Sequence, residues 1–411
     1  MVRSTNAKTG LRFAVALAFG FALAVLSDAG SARADEAPTV SVLTMGPGDP
    51  TFSKFGHDAI VVSPAGDRSH VYNFGTFSFQ SKRLFRDFLS GRLRYWLSLA
   101  SLPRTLDSYR RQNRSLLVQE LHLDRASASA LAEALEENSR PENRYYLYDH
   151  FRDNCSTRVR DAIDRATGGR VRRALDRPAG ATYREHALRL VADDWLLYVG
   201  LDLGLGPAVD GRITEWDEGF LPERLALSLR RVRVPGPNGE VPLVARETTV
   251  FEAKREPARE RAPVRAPWFF VVGVLLGGSL GALFRGSSRR ARVAAGVLSA
   301  ALGVVSGLLG ALLLFLWVAT NNDVAHRNAN AFLSPVVALA LVPAGIAFAM
   351  GRSSGRKLAE RTLLACVALA VVGVVFALAV GHDVRRTAAL FVPLWALGFA
   401  GLRVRKTKRA A

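Results

Sequence analysis

Residues 149–161 read DHFRDNCSTRVRD and contain Cys155, the one cysteine that lies outside a strongly apolar segment. Asp153 and Asn154 are good N-cap residues, so the sequence predicts a helix that begins at this cysteine and ends at a glycine pair. The positive end of such a helix, with two arginines nearby, favours the nucleophilic thiolate form of a cysteine. The stretch therefore indicates a reactive thiol, and a buried structural cysteine is the alternative interpretation.

The composition divides the 411-residue chain into two unlike halves. Residues 35–260 are polar and charged, whereas residues 268–402 form apolar runs separated by short basic loops. We therefore expect one soluble domain and one membrane domain. The net charge is +19, and thirteen of the Lys and Arg residues lie between or after the apolar runs, where the positive-inside rule places them. The charge thus predicts a membrane topology, and we expect no nucleic-acid partner.

The N-terminus is typical of a secretory signal, with a basic start, an apolar run and an Ala32-Arg33-Ala34 cleavage site. An uncleaved anchor is the alternative, and either exports the domain that follows. We expect a multi-pass protein of the inner membrane with its N-terminal domain in the periplasm. The predicted segments are a signal peptide at 1–34, a periplasmic thiol domain at 35–234, a Pro/Arg/Glu-rich linker at 235–267, a transmembrane domain of about five spans at 268–402 and a basic cytoplasmic tail at 403–411.

The soluble part alternates strand-like and helix-like runs, which predicts an α+β fold. We expect helices over 82–89, 102–117 and 124–138, and a hairpin that places His57 at the entry of one strand. A cysteine at a helix start facing a histidine on a sheet is the papain-like arrangement, here circularly permuted because the histidine comes first. A loop histidine with a structural hydrogen bond is the alternative for His57, and His150 is a further candidate for the same site.

The sequence contains none of the spacings typical of a metal site, so we expect no metal and no cofactor. The segment TNNDVAHRNAN at 320–330 is unusually polar for a link between spans and lies on the same side of the membrane as Cys155. His326, Asn328 and Asn330 are candidates for binding lipid headgroups or a substrate. A plain solvated loop is the alternative.

Four motifs then suggest a family by their identity and order: FSKFGHDAIVV at 52–62, HVYNFGTFSF at 70–79, YYLYDHFRDNCSTRVRD at 145–161 and EGFLPERL at 218–225. They resemble the exported domain of the Bacteroides-type lipoprotein N-acyltransferases (Lnb). The H-x-N-x-N loop resembles the membrane half of the same family. The resemblance implies a circularly permuted papain-like domain, of the cell-wall-peptidase and lecithin:retinol acyltransferase type, followed by an all-α transmembrane domain.

By this resemblance, Cys155 matches the family's nucleophile and His57 its base. Asn73 or His70 on the partner strand orients the imidazole, with Asn73 favoured because it lies in the YNFGTF motif. Arg158 either binds substrate or braces the helix.

The implied reaction moves an acyl chain from a phospholipid, through a thioester, to the α-amine of a lipoprotein's diacylglyceryl-cysteine. A membrane-bound cysteine hydrolase, either a phospholipase or a cell-wall peptidase or amidase, is the alternative enzyme. A scaffold with a structural cysteine is the non-enzyme alternative.

Overall fold

The computed structural model describes residues 37–78, 86–87 and 90–407. The predicted signal peptide at 1–34, most of the predicted helix at 82–89 and the last residues of the predicted tail at 403–411 lie outside the described residues. Within them, an α+β sheet domain is followed by a helical region with five apolar helices long enough to span a membrane. The predicted α+β class and the predicted number of spans are confirmed.

The N-terminal domain is organised around a seven-stranded sheet whose strands pair antiparallel in the order β6-β4-β3-β2-β1-β5-β9. The central strands β1 and β2 are apolar along most of their length and are buried, because helices cover both faces of the sheet. A separate two-stranded ribbon joins β7 to β8. The strands are β1 Thr39–Met45, β2 His57–Ser63, β3 His70–Thr76, β4 Arg94–Ser101, β5 Leu116–Leu121, β6 Tyr145–Leu147, β7 Arg233–Gly236, β8 Gly239–Pro242 and β9 Val244–Phe251.

Helices cover the two faces of this sheet. One face packs against α2 and α3 through a core that includes Ile60, Phe74 and Ile163. The other face packs against α1 through Val61 and Val71. The helices of the domain that lie wholly within the described residues are α1 Leu102–Arg111, α2 Arg125–Ser139, α3 Cys155–Ala166, α4 Arg170–Leu175, α5 Tyr183–Leu190, α6 Trp195–Gly204, α7 Glu215–Glu218 and α8 Pro222–Leu229.

Two predicted boundaries are wrong. The predicted linker at 235–267 contains β7, β8 and β9, so the sheet domain extends to Phe251. Strand β9 is an edge strand whose charged side chains mostly face water, which is why its composition resembles that of a linker. The predicted helix at 102–117 ends at Arg111, and its last residues begin β5, because Asn113 turns the chain with a φ of 51°.

The helical region contains spans at Ala266–Arg285, Arg289–Ala319, Asn330–Ala349, Ser353–Val380 and Arg385–Val404. The first two are α9 and α10, and the last two are α13 Ser353–Val380 and α14 Arg385–Thr407. The third span is interrupted: α11 Asn330–Leu333, a 3₁₀ turn at Val336–Ala340 and α12 Leu341–Ala349 follow one another. Pro335 at this break has no backbone N–H, which explains the interruption.

Helix α6 connects the sheet domain to the ends of these spans. At its start, the Trp195 ring lies 5.9 Å from the ring of Phe269 in α9. At its end, the carbonyl of Gly204 accepts a hydrogen bond of 3.0 Å from the Asn328 amide, just before α11. The sheet domain therefore rests directly on the ends of the first and third spans.

Candidate active site

Cys155 is the first residue of α3, and the start of this helix is held by an extensive cap. The Asn154 side chain accepts hydrogen bonds of 2.9 Å from the N–H groups of both Ser156 and Thr157. Its amide nitrogen donates in turn to the carbonyls of His150 and Phe220, at 2.7 and 2.9 Å. Because the cap residue is buried and bonded on both sides, the helix start is rigidly placed. The predicted helix start at Cys155 is confirmed.

The half-buried thiol lies at an opening between strands β2 and β3. These strands pair only between residues 60–62 and 70–72, so their ends nearest α3 are not joined to each other. The Asp58 backbone N–H in this unpaired part of β2 donates a hydrogen bond towards the thiol. On β3, Gly75 has a φ of 86°, and a Cβ there would lie 3.3 Å from the Cβ of Cys155. A glycine is therefore required for both conformation and space.

His57 is the first residue of β2, immediately before Asp58, and is half-buried at the same opening. The Asn73 side chain hydrogen-bonds its ring, and the Tyr109 ring is stacked parallel to it with centroids 6.4 Å apart. His70 is exposed at the far end of β3, opposite Ser101 of β4. Of the two residues predicted to orient His57, only Asn73 contacts it.

Burial determines the protonation of both groups at rest. Burial, followed by the positive charge of Arg114, lowers the pKa of His57 to about 4, although the Asn73 hydrogen bond acts in the opposite direction. Burial, followed by the Asp58 carboxylate, raises the pKa of Cys155 to about 12, against the effect of the nearby backbone N–H groups. The thiolate expected from the helix start is therefore not the resting form. A neutral imidazole can accept a proton, so the resting form of His57 is suited to general-base catalysis.

Asp58 is a buried carboxyl group that sequence reasoning missed. Its two oxygens lie 2.8 Å from the Thr44 hydroxyl and 2.6 Å from the Ser156 hydroxyl. The Ser156 hydroxyl also lies 2.8 Å from the carbonyl of Gly219, which can only accept. The Ser156 hydroxyl has one hydrogen and two oxygen neighbours. If it donates this hydrogen to the Gly219 carbonyl, the second contact is also a hydrogen bond when Asp58 is protonated and donates to Ser156. Burial raises the pKa of Asp58 to about 6, which agrees with this assignment. The sequence signal that could have identified Asp58 is an acidic residue within an otherwise apolar strand.

Arg158 and His150 are both engaged in packing. The Arg158 guanidinium pairs with both oxygens of Asp153, at 2.5 and 2.7 Å, and lies 4.2 Å from the centre of the Tyr146 ring. Of the two predicted roles, these contacts correspond to bracing the helix. The His150 ring packs edge-on against Phe55, with centroids 4.3 Å apart, and burial lowers its pKa to about 4.

The polar loop between the second and third spans is occupied by contacts with the sheet domain. Asn328 and Asn330 are fully buried, and their amides donate to carbonyls at the end of α6, including that of Leu203 at 2.8 and 3.0 Å. The His326 ring bonds the Thr320 carbonyl at 2.9 Å. The contacts of Asn328 and Asn330 hold the two halves together, the His326 contact lies within the loop, and binding of substrate by these three side chains stays a prediction.

Residues 30–189 match the family model of the Lnb N-terminal periplasmic domain, which contains both His57 and Cys155. The sheet domain belongs to the Lnb family. No curated protein and no solved structure matches the chain. The match supports a periplasmic location for this Lnb domain and a multi-pass membrane protein, since five apolar helices follow it.

Membership of the Lnb family indicates an enzyme that processes lipoproteins at a membrane. The described residues contain no group of three or more His, Cys, Asp or Glu side chains arranged to hold a metal ion. What the Lnb domain does present is a thiol at a capped helix start and, on the adjacent strand, a neutral histidine held by an asparagine. Such a set of groups is suited to covalent catalysis through sulfur.

Proposed function

We propose that the protein is a lipoprotein N-acyltransferase of the inner membrane. It moves an acyl chain from a phospholipid to Cys155 and then to the α-amine of a diacylglyceryl-cysteine at a lipoprotein N-terminus. The observation that carries the proposal is the half-buried thiol where β2 and β3 are not paired, close to the backbone N–H of Asp58, the residue that follows His57 in β2. The family assignment supports a lipoprotein substrate.

The first half-reaction acylates the enzyme. His57 takes the proton of the Cys155 thiol as the sulfur attacks the carbonyl carbon of a phospholipid ester. The negative charge that develops on the carbonyl oxygen is stabilised by the backbone N–H of Cys155, because the Asn154 cap occupies the N–H groups of Ser156 and Thr157. The ester C–O bond breaks, and the leaving oxygen takes the proton back from His57. A lysophospholipid departs, and the acyl chain remains on sulfur as a thioester.

The second half-reaction transfers the chain to the lipoprotein. The free α-amine attacks the thioester carbonyl, His57 takes the amine proton, the C–S bond breaks and the sulfur recovers the proton. An ester is thus converted through a thioester to an amide without ATP. Because the donor's product leaves before the acceptor reacts, we expect ping-pong kinetics.

Both substrates are anchored in a membrane, and the contacts of the site-bearing segments suit such substrates. In the turn before α3, the Arg152 guanidinium forms an ion pair with Asp323 in the loop between the second and third spans. Before β4, the carbonyl of Ser90 accepts a hydrogen bond of 3.2 Å from the N–H of Asn321 in the same loop. The helix start that carries Cys155 is therefore tied to the periplasmic ends of the spans, within reach of the outer leaflet.

Reconstitution of the full chain in lipid nanodiscs provides the test. The donor is a phospholipid with an isotope-labelled acyl chain, and the acceptor is a diacylglyceryl-cysteinyl lipopeptide. Mass spectrometry should detect labelled N-acyl lipopeptide and, without acceptor, a hydroxylamine-sensitive acyl adduct on Cys155. Cys155→Ser and His57→Ala should lose both products, and Cys366→Ser, which changes the other free cysteine, should lose neither.

Three outcomes would contradict the proposal. Labelled free fatty acid without N-acyl lipopeptide would identify a phospholipase. Release of peptides from cell-wall fragments, with no change in the phospholipid, would identify the peptidase or amidase alternative. Normal transfer by Cys155→Ser would exclude the thiol as nucleophile.

A further inference from the structure

One hydroxyl group beside the thiol is left unused by the reaction described above. Tyr146 is the middle residue of the short strand β6 and lies opposite Tyr95 of β4. Its ring faces α3, since the Arg158 guanidinium lies 4.2 Å from the ring centre. Phe74 of β3 packs edge-on against the same ring, with centroids 6.5 Å apart. Contacts on two sides therefore fix the direction of the hydroxyl.

The hydroxyl of Tyr146 points at the gap that Gly75 leaves open. A Cβ built on Gly75 would lie 3.8 Å from the Tyr146 oxygen and 3.3 Å from the Cβ of Cys155. The hydroxyl and the β-carbon of the nucleophile thus border the same small space, which has no side chain of its own. A carbonyl oxygen on the carbon that sulfur attacks falls within a few ångströms of the Cys155 Cβ, in the region of this space.

The hydroxyl is buried, and within the described part of the chain it has no hydrogen-bond partner. A buried hydroxyl without a hydrogen-bond partner destabilises the fold, so its retention calls for a reason. Arg158 contacts the ring face, and its own hydrogen bonds go to Asp153. A partner that arrives with the substrate satisfies the hydroxyl without any rearrangement of the protein.

We infer that the Tyr146 hydroxyl donates a hydrogen bond to the oxyanion formed when Cys155 is acylated and deacylated. The inference rests on the proposed function for the identity of the acyl group, but it applies to any carbonyl that the thiol attacks. Burial, followed by proximity to Cys155, raises the pKa of Tyr146 far above its usual value. The phenol therefore remains a donor and is excluded as a base. Together with the backbone N–H of Cys155 it forms a two-sided oxyanion site.

The test compares Tyr146→Phe with Tyr145→Phe. The Phe variant at 146 keeps the ring and removes only the donor. The matched control lies on the opposite, exposed face of the same strand, where its hydroxyl bonds the Arg144 guanidinium at 3.1 Å. We expect Tyr146→Phe to lower kcat for thiol acylation by roughly 10²–10³-fold with little change in KM, as removal of one oxyanion donor does. Tyr145→Phe should match the wild type.

Two acyl donors separate this inference from the proposed function. The release of p-nitrophenol from p-nitrophenyl butyrate reports acylation of Cys155 whether or not a phospholipid is the natural donor. If the wild type reacts with this ester and not with phospholipid, the proposed function fails while the role of Tyr146 is still measured.

Alkylation of Cys155 by iodoacetamide provides an internal control, because this reaction forms no oxyanion. Tyr146→Phe should be alkylated at the wild-type rate, and its melting temperature should be no lower than that of the wild type, because the substitution removes only a hydroxyl without a partner. Equal acylation rates for Tyr146→Phe and the wild type would overturn the inference. A parallel loss of alkylation and acylation would also overturn it, since the hydroxyl would then act by placing the thiol.

Discussion

Asp58→Asn tests whether the buried acid behind the nucleophile works as a neutral group. When Asp58 is protonated, one of its oxygens donates to the Ser156 hydroxyl and the other accepts from the Thr44 hydroxyl. An asparagine side chain supplies both, with its NH₂ towards Ser156 and its oxygen towards Thr44. The substitution therefore preserves the hydrogen bonds and removes only the charge that appears when Asp58 ionises.

The expected gain follows from the pKa of Asp58, which burial raises from 3.8 to about 6. Because the folded-state pKa is raised, the stability from the protonated acid is complete below about pH 4 and is lost as the pH rises through about 6. With each pKa unit worth about 1.4 kcal/mol, ionisation in the folded state costs roughly 3 kcal/mol above pH 6. Asparagine avoids this cost.

Thermal melting of the full chain in detergent between pH 4.5 and 8 provides the assay. Asp58→Asn should melt close to the wild type at pH 4.5 and roughly 6–12 °C higher at pH 8, at about 2–4 °C per kcal/mol for a domain of this size. Asp67→Asn, on an exposed turn, is the matched control and should show no pH-dependent difference. If Asp58→Asn melts below the wild type at pH 8, the carboxylate is the stabilising form and the proton assignment is wrong.

Three further changes probe the site and the interface. Gly75→Ala places a methyl group against Cys155 on a backbone with a φ of 86°. It should abolish thiol acylation and lower the free energy of unfolding by only about 1–3 kcal/mol. Unimpaired acylation would show that the gap at Gly75 is not used. Asn73→Ala removes the acceptor that raises the pKa of His57, so the acid limb of the acylation rate near pH 4 should move to lower pH. The acylation rate at pH 7 should fall by roughly 10–100-fold, which is part of what a general base contributes. An unchanged pH profile would contradict this role. Asp202→Ala removes a buried carboxylate that pairs with Arg184 and Arg386 at the interface between the halves and leaves them only Asp210 and Asp383. It should therefore cost about 1–3 kcal/mol and expose the boundary to limited proteolysis. Wild-type melting and proteolysis would disprove its structural role.

Local sequence features were sufficient for much of the fold. The N-cap residues before Cys155 predicted the start of α3, because a cap acts within one turn of the chain. The apolar runs predicted five spans for the same reason, since span length and hydropathy are properties of a single segment. Strand β9 escaped prediction because its identity depends on pairing with β5, more than 120 residues earlier. On its own, the segment has the composition of a linker.

The chemistry of the site depended on long-range packing. The sequence offered both Asn73 and His70 as partners of His57, and the register of β3 leaves only Asn73 beside it. The polar loop suggested a binding site because its sequence shows no partner for its asparagines. In the fold, their amides donate hydrogen bonds to carbonyls at the end of α6. The Tyr146 hydroxyl carries no local signal either, since its importance comes from a gap that a glycine on another strand creates.

By itself, the sequence predicted one candidate nucleophile at a helix start, on an exported domain followed by five spans. Only the tertiary structure decided the state of that nucleophile. The helix dipole and cap act locally and favour a thiolate, but burial and the carboxyl of Asp58 act through space and raise the pKa of Cys155 to about 12. Desolvation depends on every element packed around a group, and no local stretch of sequence contains that information.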